Sequence, residues 1–279
     1  MIVDVHVHVI VGDASPPPSM VGEFADPAGI LEGTGADRVV LSPWVQLLSG
    51  DLDHCRAQNA ALAALVGERV SALGSVPLAE PEVAAAELRA VLDAGLAGVE
   101  VPASVGGAYL GDDRFVPFWA AAEETGAVVF VHPTTRGFEW PDYYLWNTVG
   151  NPFETTITAA HMVMAGVMER HPALRVVLAH GGGALPALRG RLRHAHTFQP
   201  LARARLREAP EASIRRFYFD TVTHDPAVLR ELAEFAGVDH IVLGTDHPFD
   251  MRDPDPLGTV RAAGLDPDAL GANAEALLG

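Results

Sequence analysis

The sequence predicts one (β/α)8 barrel domain spanning residues 1–279. Three observations carry that expectation. Eight short apolar, β-branched runs recur along the chain. Alanine- and leucine-rich stretches with three- and four-residue periodicity separate them. Reactive side chains gather at the C-terminal ends of those runs, the face on which such barrels assemble their sites. The competing architecture is a doubly wound open sheet. A GxGxxG turn after the first run is missing, and polar residues end many of the runs, so the closed barrel is preferred.

The runs are IVDVHVHVI (2–10), RVVLSPW (38–44), SALGSVPL (71–78), GVEVPA (98–103), VVFVHP (128–133), RVVLAHG (175–181), FYFDTV (217–222) and HIVLGTDHP (240–248). Most are almost continuously apolar, as parallel strands covered on both faces must be. HCRAQNAALAALVGE, EVAAAELRAVLDAG, RFVPFWAAAEETG and ETTITAAHMVMAGVMERH read as helices. Gly95 and Gly126 stand just past two of them as stop signals, and Pro226 opens the helix AVLRELAEFAG. ASPPPS (14–19) reads as a short stiff loop rather than a linker.

The formal charge is −17, and all 19 basic residues are arginine. An acidic chain with scattered arginines is a poor nucleic-acid binder. Without lysine there is no Schiff base and no carboxylated lysine to bridge two metals. No apolar run reaches the roughly 18–20 residues of a membrane span. A basic, cleavable leader is not evident, so a cytoplasmic protein is expected. Cys55 is the single cysteine, which fits a reducing compartment.

His6 and His8 share a face of the first strand, because residues two apart point the same way. Two buried imidazoles are costly unless something binds them. A divalent metal is the economical occupant. His132, His180 and Asp246 end the fifth, sixth and eighth runs and complete a candidate site. His224 follows the seventh run and is a candidate pocket residue. His54, His161, His171, His194, His196 and His240 read as packing or surface residues, and His247 as a loop support. RGFEWPDYYLW (136–146) holds two of the four tryptophans and two of the four tyrosines. It is either an aromatic wall beside the metal or a subunit contact. Arg136 and Trp140 in that segment, and Trp44 at the end of the second run, are candidate substrate contacts.

DVHVHV, VFVHP, NPFETTITAAHMVMAGVMERHPALRVVLAHGGGALPALRGRL, FYFDTVTHDP, HIVLGTDHPF and GANAEALLG together resemble the amidohydrolase superfamily. Within it they are similar to the branch of aminocarboxymuconate semialdehyde decarboxylase and related non-oxidative decarboxylases. The resemblance implies a barrel with one divalent ion, usually Zn2+; histidine and carboxylate donors also suit Mn2+ or Fe2+. It implies His6, His8, His132 and Asp246 as ligands and His180 as the acid/base. It further implies a homodimer in which Arg191 reaches the neighbouring subunit's site to hold a substrate carboxylate. The segment after the first strand carries no arginine to match one in the muconate enzyme. The expected activity is metal-dependent decarboxylation of an aromatic or unsaturated carboxylic acid. The alternative is hydrolysis of a lactone or amide, with Asp246 taking a proton from water. A barrel that only binds is disfavoured by the full set His6, His8, His132, His180 and Asp246. No organic cofactor, nucleic acid or membrane partner is expected.

Overall fold

The computed structural model describes residues 1–11, 26–48, 51–134 and 141–279. Residues 14–19, Arg136 and Trp140 lie outside them. Eight parallel strands form one sheet in sequence order: β1 (Val3–Val9), β2 (Arg38–Pro43), β3 (Val70–Gly74), β4 (Gly98–Pro102), β5 (Val128–His132), β6 (Arg175–Leu178), β7 (Tyr218–Asp220) and β8 (Ile241–Val242). The barrel closes where β1 meets the chain after β8. Val5 N–H donates to Leu243 O at 2.9 Å, His8 N–H donates to His247 O at 2.8 Å, and Val7 bridges His247 in parallel. The principal helices between and after the strands are α1 (Pro27–Thr34), α2 (Leu52–Ala63), α3 (Pro81–Asp93), α4 (Val116–Thr125), α5 (Asn151–Met164), α6 (Leu185–Phe198), α7 (Pro226–Ala236) and α8 (Pro267–Leu278). This is a (β/α)8 barrel.

Strand composition explains the layering. One set of residues, including Val39, Leu41, Val99, Val101, Val129, Val131, Val176 and Leu178, packs outward in the main core with the helices. The other set, including Val40, Leu73, Phe130, Val177 and Val242, fills the barrel's interior, where Ala274 and Leu277 of α8 join it. That interior plug is the floor of the candidate site, with the Phe130 ring 4.8 Å from that of His6.

Local signals set the boundaries. Asp51 caps α2 by accepting from Asp53 N–H and His54 N–H, and Asp225 caps α7 ahead of Pro226. Gly126 ends α4 in the left-handed region. Several runs are shorter as strands than their composition predicts, β3, β6, β7 and β8 among them. β8 pairs regularly only over Ile241–Val242, because the chain then leaves β7 to follow β1 through single hydrogen bonds and turns at Asp246, whose φ is 64°. β7 stops at Asp220, whose carboxylate turns back to accept from Val222 N–H at 3.1 Å. Helix α1 had no counterpart in the sequence pattern.

Candidate metal centre and active site

β1 carries three polar residues at two-residue spacing, Asp4, His6 and His8, all buried. The register with β2 slips between Asp4 and Val7, so β1 has one extra residue beside the site. His132 enters from the end of β5, His180 from just beyond β6 and Asp246 from the loop after β8. His6, His132, His180 and Asp246 present ligand atoms that all lie within 4.8 Å of one another. His8 joins them, its Nε2 3.1 Å from His6 Nε2 and 3.4 Å from Asp246 Oδ1. His6 Nε2 is 3.2 Å from the same oxygen. The structure thus brings together all five residues that the sequence singled out.

The outer nitrogens of three rings fix how the inner ones face. His6 Nδ1 lies 2.6 Å from Asp220 Oδ2, His8 Nδ1 3.2 Å from Pro43 O, and His132 Nδ1 2.9 Å from Pro133 O. Each partner only accepts, so each Nδ1 carries the proton and each Nε2 turns a lone pair inward when the ring is neutral. His132 Nε2 and Asp246 Oδ1 are buried without a hydrogen-bond partner. Lone pairs from His6 and His8 that face each other at 3.1 Å repel unless a cation or a proton lies between them. Three imidazole nitrogens and a carboxylate oxygen, each oriented by a second hydrogen bond or ion contact, suit a divalent metal.

The charges agree. Asp4, Glu100, Asp220 and Asp246 are all buried, and no arginine side chain is buried among the described residues. Burial alone would lower the pKa of His6, yet Asp246 and Asp220 outweigh it and raise it to about 10. Burial and the rings of His8, His6 and His180 drive His132 well below its ordinary value, which keeps it neutral. Asp246 stays well below the usual carboxylate range because His6, His180 and His8 overcome its burial. Burial raises Asp4 and Glu100 to about 7 each, against Thr245 in the first case and His8 in the second. In the metal-free chain a proton on His6 balances part of the surrounding negative charge.

His180 differs from the other three histidines. It sits at the wall of a cavity of about 420 Å3 that also touches Asp246, whereas His6, His8 and His132 do not line it. Its Nε2 is 3.4 Å from Asp246 Oδ2 and its Nδ1 has no partner. Its backbone is left-handed, with φ 56°, and is held there by Asp220, which accepts from His180 N–H at 3.0 Å and Gly181 N–H at 2.7 Å. Strain at both His180 and Asp246 is concentrated where the fold aims reactive groups.

The remaining candidates fall as follows. His224, exposed and left-handed at φ 57°, lines the same cavity. Asn147, Arg189 and Met251 line it too. Trp44 is buried with Ile10 and Val45 in a small cluster with Phe249, whose ring is 5.0 Å from His8, so Trp44 supports the mouth without lining the cavity. Arg191 is exposed on α6. His247 packs against Gly33 of α1, His240 meets Phe217 O, and His171 pairs with Glu123. Reasoning from the sequence missed Asp4, Glu100 and Asp220. Their signal was present: each is the lone acid in an apolar strand run, and Asp4 shares the His6–His8 spacing.

A sequence model described as amidohydrolase matches residues 3–279. A 2-amino-3-carboxymuconate-6-semialdehyde decarboxylase from Dictyostelium discoideum is 33% identical over 207 residues, covering 72% of this chain and 58% of that protein. A 6-methylsalicylic acid decarboxylase from Penicillium expansum is 33% identical over 150 residues, covering 51% of this chain and 45% of the relative. The chain therefore matches about half the length of these curated relatives. The crystal structure of 5-carboxyvanillate decarboxylase from Sphingomonas paucimobilis superposes with a TM-score of 0.87 at 23% identity, covering 99% of this chain and 98% of that one, and so shares the fold. With a matching sequence model over nearly its whole length and the barrel to go with it, this chain belongs to the amidohydrolase family.

Proposed function

We propose that this protein is a metal-dependent, non-oxidative decarboxylase of an aromatic or unsaturated carboxylic acid. The observation that carries the reading is the set of inward-facing His6, His8 and His132 Nε2 atoms around Asp246, in an interior with an excess of buried negative charge. His6, His8, His132 and Asp246 are the ligands, and zinc is the first choice of ion, with manganese or iron compatible with the same donors. A bound divalent ion supplies a Lewis acid that polarises a substrate oxygen.

The chain's own residues do the rest. The cavity beside Asp246 is of a size that holds a substituted ring. Val222, Leu232 and Met251 offer it apolar walls, and His224 and Asn147 offer polar contacts. His180, at that wall, delivers a proton to the carbon that bears the carboxylate. The carbon–carboxylate bond then breaks, its electron pair returns to the conjugated system, and carbon dioxide leaves. Solvent reprotonates His180 through the cavity.

Arg191 is assigned to a substrate carboxylate in the partner subunit of a homodimer. Its support is position: α6 also exposes Leu188 and Phe198, and neighbouring α5 exposes Phe153 and Ile157. No helix of the described residues is long and apolar enough to cross a membrane. A cytoplasmic location agrees with the single, buried cysteine.

The test pairs metal analysis with gas release. Purified protein is expected to hold one divalent ion per chain and to release carbon dioxide from members of a panel of hydroxybenzoates and unsaturated acids. His180→Asn should keep the metal and lose turnover by about 10²-fold or more. Active protein with no metal, or full activity in His180→Asn, overturns the reading.

A further inference from the structure

Among the described residues four acids line the barrel's interior, and three have clear employment. Asp4 accepts from Thr245 and His6 N–H, Asp220 accepts from His6, His180 and Gly181, and Asp246 meets His6, His8 and His180. Glu100 is 1% exposed, and neither of its oxygens has a hydrogen-bond partner. The hydroxyl of nearby Ser42 donates instead to Val7 O. A carboxylate stripped of water and given no hydrogen bond in return weakens a fold. Such a residue is explained when the working state supplies what the resting state lacks.

Position shows what that is. In the β4–β5 register Glu100 stands opposite Phe130, and Pro102 stands opposite His132. Glu100 is therefore one layer below His132, and its Oε2 lies 3.9 Å from His8 Nδ1. Pro43 O takes the hydrogen bond from that nitrogen, so what Glu100 adds is charge. We propose that Glu100 is a positioning residue of the metal centre, a buried negative charge behind the His8 ring that strengthens the grip of His8 Nε2 on a divalent cation. A cation on Nε2 withdraws electron density and makes the Nδ1 edge more positive, and a carboxylate behind that edge favours the ligated ring. Without the cation the same charge loses its principal counterion. Glu100 thus weakens the metal-free chain and tightens the loaded one. The inference rests on the metal-centre reading above.

Glu100→Gln separates the two effects, because it keeps shape and an accepting oxygen but removes the charge. The whole chain, wild type and variant, is stripped with a chelator and titrated with Zn2+ against a chromophoric competitor. Metal-free melting and the visible spectrum of the Co2+ form are recorded alongside. The zinc dissociation constant is expected to rise about 10- to 100-fold, with an altered cobalt spectrum and a metal-free melting temperature equal to or above that of the wild type. Glu100→Asp, which restores the charge at a longer distance, should recover part of the affinity. Zinc affinity within threefold of wild type overturns the assignment. So does loss of metal-free melting in step with affinity, which marks a structural residue. A wild-type chain that takes up no divalent ion overturns the metal centre itself, and this assignment with it.

Discussion

Asp220→Asn tests how the site is held in register. The wild-type carboxylate is fully buried and gathers four donors: Gly181 N–H at 2.7 Å and Val222 N–H at 3.1 Å on Oδ1, His180 N–H at 3.0 Å and the His6 Nδ1 proton at 2.6 Å on Oδ2. An asparagine oxygen can keep the first two. Its amide group then meets two donors where an acceptor stood. A hydrogen bond to a charged group is worth about 1.5–3 kcal/mol, and the stranded His180 N–H costs a further ~1–3 kcal/mol. The sum, roughly 2.5–6 kcal/mol, corresponds to a drop in melting temperature of about 5–12 °C for a domain of this size. His6 can relieve the clash only by moving its proton from Nδ1 to Nε2, which closes the lone pair that faces His8 and Asp246. Metal affinity should therefore fall about 10- to 100-fold. Calorimetric melting of the metal-free chain and a competitive zinc titration measure the two effects separately. If the melting temperature falls while zinc affinity stays within twofold, Asp220 does not set the His6 tautomer and the reasoning is wrong.

Thr245→Val removes a hydroxyl that donates to Asp4 at 2.7 Å and accepts from His247 N–H at 3.2 Å; a loss of about 2–5 kcal/mol in chemical denaturation is expected, and no change would show that this clamp between β1 and the Asp246 loop is idle. Gly183→Ala should destabilise the His180 turn, because φ is 60° there and an added Cβ would fall 2.1 Å from Pro152 O; a circular dichroism melt indistinguishable from wild type would contradict this. Burial alone would raise the Glu123 carboxyl, but Ala173 N–H and His171 outweigh it and hold it below its ordinary value of 4.5. A depressed carboxyl stabilises above its unfolded pKa and loses that contribution as pH falls through its folded value. Glu123→Gln should therefore melt below wild type at pH 7, with the gap closing at about pH 4 and under; a gap independent of pH would place the effect elsewhere.

Much of the fold was legible because parallel strands buried on both faces leave near-continuous apolar runs, and all eight runs became strands of the barrel. Their ends were not legible. Where β8 stops depends on the turn at Asp246 and on bonds to β1, residues some 240 positions away. His6 and His8 stood out as a same-face pair of imidazoles inside an apolar run, and His132, His180 and Asp246 as reactive side chains at the ends of three others. Asp220 and Glu100 stood in similar runs but looked like ordinary strand acids. What sets them apart is a tertiary fact: one collects four donors and the other none. Arg189 was passed over because a helical arginine announces nothing until a cavity is seen beside it.

The seam between the first and last strands has a consequence for biosynthesis. His6 and Asp246 are brought together by hydrogen bonds such as Thr245 to Asp4, spanning 241 positions, so the His/Asp cluster is joined from segments far apart in sequence. A nascent chain on the ribosome can shape most of its helices and strands locally, yet it owns no competent binding site until that distant loop has emerged and docked. Docking of the eighth strand's loop against the first strand, rather than local folding along the way, is what completes the donor set.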